Sequence, residues 1–186
     1  MLKKWIISAS FLLALLGAPY LFADDHEEDE HEEHEYSRER KSLFVTSNVP
    51  SATNSKWKAE CSSCHMLFPP ALLPARSWTK LMGGLDKHFG EDASIDAKTR
   101  DEITGFLVAN GADRSSNRRG TKIDQSISSG NVPIRITETP YFIRKHDEIQ
   151  SSVWKRPKIK SPANCVACHR NAEQGVFSEH EVSIPK

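Results

Sequence analysis

All four cysteines of this 186-residue chain sit in two copies of one arrangement. Cys61-Ser62-Ser63-Cys64-His65 and Cys165-Val166-Ala167-Cys168-His169 both read C-x-x-C-H. On a helical turn, positions i, i+3 and i+4 share one face. Two thiols placed there can form thioethers with the two vinyl groups of one porphyrin. The histidine after the second thiol can then aim a ring nitrogen at the iron. The pattern is the attachment signature of c-type haem. A zinc reading would pair the two motifs as one four-ligand site. They stand about a hundred residues apart, which is long for such sites, and zinc gives the trailing histidines no role. The sequence therefore predicts two covalently bound haem c groups. Cys61, Cys64, Cys165 and Cys168 form the thioethers, and His65 and His169 are the proximal iron ligands.

Each iron then needs a sixth ligand. Outside an acidic segment near the N-terminus the remaining histidines are His88, His146 and His180, and the competing methionines are Met66 and Met82. Met66 adjoins His65 and cannot reach the opposite face. Trp78, Leu81, Met82, Leu85 and His88 form one apolar stripe of a helix predicted over 77–89, with Gly90 as its stop. A histidine on such a stripe is ordinarily a packed core residue, but a nearby iron changes that expectation. His88, at the flexible helix end, is preferred for the first haem, and Met82 on the same stripe is its rival. For the second haem, His146 shares a face with Phe142 and Ile149. His180 sits between Glu179 and Glu181 on a polar tail, so His146 is preferred. Two imidazoles hold an iron at lower potential than histidine with methionine does. They also leave no coordination position for a substrate. No catalytic residue is predicted, and an electron carrier is the leading expectation. The alternative is a dihaem enzyme or gas sensor of peroxidase type, which needs one labile ligand; no distal His/Arg pair for peroxide is evident.

The elements that must position these groups read as mainly helical. A short helix over 56–66 carries the first motif and ends at Phe68-Pro69-Pro70. Residues 96–110 form the clearest helix, with Ser94 as N-cap and Gly111 past its end. The stretch 112–130, rich in Ser, Arg, Asn and Gly, reads as a linker. Residues 132–137 read as extended. Thr139-Pro140 reads as N-cap and N1 of a helix through Ile149. Lys155 to Lys160 is a basic extended stretch. Ser161-Pro162 is a second cap pair, opening the helix of the second motif, and the tail from Glu173 is irregular. Two small haem-binding domains follow, over 36–120 and 121–186.

The N-terminus adds a compartment. Lys3 and Lys4 followed by the apolar run 5–16 resemble a secretory signal over 1–23, with cleavage after Ala23. An uncleaved anchor is the runner-up. Either places the remainder outside the cytoplasm, in the periplasm. Residues 24–35, DDHEEDEHEEHE, hold nine acids and no apolar side chain, a composition that predicts a disordered tail. His26, His31 and His34 within it offer loose divalent-metal binding as the sharper reading. From Tyr36 onward 23 Lys and Arg outnumber 16 Asp and Glu. Such a basic body favours an acidic partner through steering. Arg114, Arg118, Arg119 and Lys155 to Lys160 are the candidates for that surface. Export and the lack of a recognisable binding motif argue against nucleic acid.

The stretches ECSSCHMLFPPALLPARSW, LMGGLDKHFGEDAS and CVACHRNAEQGVF resemble the dihaem cytochrome c family of proteobacteria. The resemblance runs from about Trp57 to Ile184 and extends well beyond the C-x-x-C-H motifs; the acidic His-rich tail lies outside it. It implies a first domain similar to a small class I cytochrome c and a second, irregular one with short helices. It also implies bis-histidine haems. Its implied partners are a small soluble monohaem cytochrome and a membrane b-type cytochrome.

Overall fold

A computed structural model describes residues 53–186. The expected signal, acidic tail and first residues of the N-terminal domain lie outside this range. The fold is mainly helical: six α-helices and a series of 3-10 turns, with no strand among the described residues. Two isolated bridges, His88 with Glu91 and His169 with Val182, are its only β-type pairings there.

Helix α1 spans Ser55–Cys61, and the Asn54 side chain accepts the Trp57 amide hydrogen at 2.9 Å. It stops at the first motif cysteine instead of running to Met66. The Ser63 hydroxyl takes the Glu60 carbonyl at 3.2 Å, and serine competes with the helix ladder in this way. Cys64 and His65 therefore lie on a turn beyond the helix.

Helix α2 spans Ala75–Met82 and helix α3 spans Ala97–Ala109; they pack against each other. The single helix expected over 77–89 is broken after Met82. Gly83 caps it, and a separate 3-10 turn covers Leu85–Lys87. Adjacent glycines carry a large entropic cost in a helix, so the break falls where propensity is weakest. The cap of α3 is Asp96, whose carboxylate accepts the Thr99 amide at 3.0 Å, and not Ser94. Ser94 instead donates its amide to Asp92 at 2.9 Å. Trp57, Leu73, Trp78, Met82, Ile103 and Leu107 form one buried cluster around this pair.

The stretch read as a linker is structured. It holds a 3-10 turn, Ala112–Arg114, and helix α4, Arg118–Ser126, capped by Asn117. Gly120 and Ile123 are its buried residues, and Ile123, with Ile127 just past its end, joins Ala71, Leu72 and Ala112 in a second cluster. Two apolar residues four apart suffice for the contact but give almost no periodic signal. Gly120 is required there: a Cβ would stand 2.9 Å from that of Ser115. Ile136 packs against both clusters and ties them together.

Helix α5 spans Pro140–Lys145 with Thr139 as cap, the predicted cap pair, but it ends at His146 and not at Ile149. Helix α6 is a single turn, Ser151–Trp154. No α-helix follows Ser161-Pro162. The second motif lies on a 3-10 turn, Cys165–Ala167, and the 155–160 stretch is a series of turns, not an extended segment.

Thr139 is 1% exposed, and its hydroxyl donates to the Ile136 carbonyl at 2.7 Å while accepting the Phe142 amide hydrogen at 3.2 Å. Thr139→Ala is expected to cost about 1–2 kcal/mol of stability. Denaturant midpoints of Thr139→Ala and Thr139→Ser check this, with serine close to the parent.

Candidate haem sites

The second turn of the chain and the glycine break after α2 bring two histidines face to face. The rings of His65 and His88 have centroids 6.2 Å apart and planes inclined by 26°. The rings of His146 and His169 also have centroids 6.2 Å apart, with planes inclined by 82°. A metal–imidazole bond of about 2.0–2.1 Å, with roughly 1.1 Å from nitrogen to ring centre, puts two trans imidazoles about 6.2–6.4 Å apart. Both pairs leave room for one metal ion between them.

The surroundings of each pair are apolar. The cavity at His65 and His88 is lined by Cys61, Cys64, Phe68, Trp78, Leu81, Met82, Leu85, Leu107 and Ile134 among others. The cavity at His146 and His169 is lined by Leu72, Ile123, Phe142, Ile149, Trp154, Cys165, Cys168 and Phe177 among others. Ile136, Asn164 and Cys165 line both cavities, so a thioether cysteine of the second motif stands in the wall they share. All four cysteines are free of disulfides. Among the described residues no group of three or more His, Cys, Asp or Glu converges as a metal site, so the thiols do not gather into a zinc cluster.

The electrostatics suit neutral nitrogen ligands. Burial, then the charges of His65 and Arg135, holds His88 below the usual imidazole range. Burial, then His146 and Arg119, does the same for His169. Burial pushes the Cys165 thiol up to about 11 and raises Cys61 and Cys168 as well. The neutral imidazole is the form that binds a metal. Two rings are also oriented through Nδ1, which leaves Nε2 to face the partner ring: His65 Nδ1 lies 2.6 Å from the Met66 carbonyl and His146 Nδ1 2.9 Å from that of Phe142. Such outer hydrogen bonds fix a ligating ring and raise its basicity. The Nδ1 of His169 is buried with no protein partner among the described residues. Facing imidazoles at metal spacing, free thiols beside them and apolar walls together fit a porphyrin at each site.

Of the competing ligands, Met82 is 4% exposed and packed in the α2–α3 core, although it also lines the first cavity. His180 lies exposed on the 3-10 turn Glu179–Glu181. Aromatic rings pack on these histidines. Phe89 packs on His88 with centroids 4.7 Å apart. Phe142 stacks on His146 at 4.0 Å, with Trp154 at 6.0 Å. Phe177 meets the edge of His169 at 5.5 Å. Adjacency to His88 marks Phe89 in the sequence and the shared helix face marks Phe142, whereas Trp154 and Phe177 have no such signal.

The expected basic surface divides. Arg114, Arg118, Lys155, Lys158 and Lys160 are exposed. Arg119 instead lies half-buried against the second cavity, over the Phe177 ring at 5.8 Å and donating to the Phe177 carbonyl at 3.2 Å. Arg156 is half-buried and donates to the Pro185 carbonyl at 2.8 Å.

A helical chain that presents two C-x-x-C-H motifs to two such cavities is a dihaem c-type cytochrome, a haem protein of electron transfer. Residues 57–177 match the Dihaem cytochrome c family, and the chain belongs to it. It is similar to the diheme cytochrome c from Rhodobacter sphaeroides, at 47% identity and a TM-score of 0.60, over 68% of this chain and 98% of that one. It is also similar to the diheme cytochrome from Shewanella baltica OS155, at 38% identity and a TM-score of 0.58, over 71% of this chain and 93% of that one. No curated protein matches the chain. Two covalently bound haem c groups are its cofactors.

Proposed function

We propose that this protein is a periplasmic electron carrier whose two haems are both six-coordinate and of low potential. The observation that carries this reading is the pair of facing imidazoles at 6.2 Å in each cavity. Bound haem supplies one-electron chemistry at iron. The chain does the rest: Cys61, Cys64, Cys165 and Cys168 would hold the groups covalently, and His65 with His88 and His169 with His146 would ligate the two irons and leave no position for a substrate. The apolar walls keep water out, which restrains reorganisation and favours transfer over ligand chemistry. The shared wall at Ile136, Asn164 and Cys165 supports electron exchange within the molecule.

By family resemblance, a membrane b-type cytochrome supplies electrons and a small soluble monohaem cytochrome receives them. The exposed Arg114, Arg118, Lys155, Lys158 and Lys160 suit an acidic docking face, and exchange rates with such a partner fall as ionic strength rises. No helix among the described residues is long and apolar enough to cross a membrane. The periplasmic address rests on the export signal and on attachment of haem c after export.

Carbon monoxide titration of the fully reduced protein tests the closed irons. The expected result is an unchanged absorption spectrum. A change at either haem overturns the reading and favours the dihaem enzyme or gas sensor, for which one ligand must leave.

A further inference from the structure

The two histidines opposite the proximal ligands are held in different ways. His146 caps α5, hydrogen-bonds the Phe142 carbonyl through Nδ1, and is packed by Phe142 and Trp154. His88 instead sits on a tight turn after a 3-10 segment. Phe89 has φ +56° and Gly90 φ +110°, two successive residues in the left-handed region. That conformation is natural for Gly90 and unfavourable for phenylalanine. The turn's own hydrogen bonds, Phe89 amide to the Lys87 carbonyl at 2.8 Å and Glu91 amide to the His88 carbonyl at 3.1 Å, are joined by a contact from outside the turn to the side chain, which is 41% exposed.

The outside contact is Arg135, more than forty residues along the chain. Its guanidinium carbon lies 4.0 Å from the Phe89 ring centroid. Glu138 forms an ion pair with its Nε at 3.4 Å. Phe89 in turn packs on His88, and Arg135, Phe89 and His88 all line the first cavity. A cation over an aromatic face is attractive in itself, and arginine stacks flat on the ring.

We infer that Arg135 is a positioning residue for the first haem: by stacking on Phe89 it latches the His88–Gly90 turn and keeps His88 opposite His65. The inference rests on the proposal that His88 is an axial ligand. The C-terminal half of the chain thereby controls how firmly the N-terminal haem is closed, and the same contact is where a labile position would open.

The test uses the haem-loaded ferric protein and the rate at which saturating cyanide replaces the distal ligand of the first haem, a rate limited by departure of that ligand. Arg135→Gln and Phe89→Leu are each expected to raise this rate about two- to five-fold, the range a partly exposed cation–π contact supports. The double variant should add little to either single one, because both remove the same contact. Arg135→Lys keeps a cation for the ring but loses the flat guanidinium stack, and should fall between the parent and Arg135→Gln. Phe89→Leu preserves the arginine charge, so a purely electrostatic role would leave that variant unchanged. The second haem serves as internal control and should not respond. Parental rates in both Arg135→Gln and Phe89→Leu overturn the latch. His88→Ala separates the two readings: an opened first haem supports the ligand assignment whatever Arg135 does, and a first haem that stays closed removes that assignment.

Discussion

Replacing His146 with methionine raises the reduction potential of the second haem, on the order of 0.1 V or more, and leaves the first nearly where it was. Axial ligands tune c-type haem potentials over about 0.8 V, and methionine favours the ferrous state. The position is suited to the exchange. His146 stands 6.2 Å from His169 between ring centres, at the end of a helix whose cap is buried. The substitution also removes the Nδ1 contact with the Phe142 carbonyl, seen at 2.9 Å. Spectroelectrochemical titration reads both haems at once. Unchanged potentials would transfer the sixth position to His180, and equal movement of both would mean that the substitution acts through the fold and not through one iron.

The second large effect concerns the wall of the first cavity. Trp78 is 6% exposed, packs in the cluster around α2 and α3, and donates its indole hydrogen to the Pro70 carbonyl at 2.7 Å. Trp78→Ala should cost about 3–5 kcal/mol, because a large void opens where packing cannot collapse. Trp78→Phe keeps most of the bulk but leaves the Pro70 carbonyl without its buried donor, at about 1–3 kcal/mol. Against a total stability of about 5–15 kcal/mol, the alanine variant is expected to lose much of its margin. Denaturant unfolding followed at the helical signal and at the haem bands measures both. A void confined to this wall should disturb the first haem's absorption before the second's. Equal costs for the two variants would show that the hydrogen bond, and not the ring volume, carries the effect.

The chemistry of attachment was legible from sequence because it is local. Two thiols and a histidine within five residues define one porphyrin site wherever the chain goes, and the C-x-x-C-H motifs declared this before any helix was located. The Thr139-Pro140 cap was legible for the same reason: a hydroxyl that reaches an amide three residues on needs no tertiary partner. Helix ends were less so. The breaks at Cys61 and Met82 depend on competition between a serine or glycine and the backbone ladder, which periodicity does not register. Helix α4 was hidden because Ile123 is the one large apolar side chain it buries, with Ile127 just beyond its end.

What the tertiary structure decided is which groups meet across the chain. Sequence narrowed the distal candidates to His88 or Met82 and to His146 or His180. Only the turn after Gly84 aims the His88 ring at His65, and only packing by Phe142 and Trp154 sets His146 against His169. The common wall at Cys165 and the stacking of Arg135 on Phe89 had no trace in motif or pattern. The physical reason is range: covalent attachment is written within one turn of backbone, whereas the facing of the histidine pairs and the contact between the halves come from packing residues that are far apart in sequence.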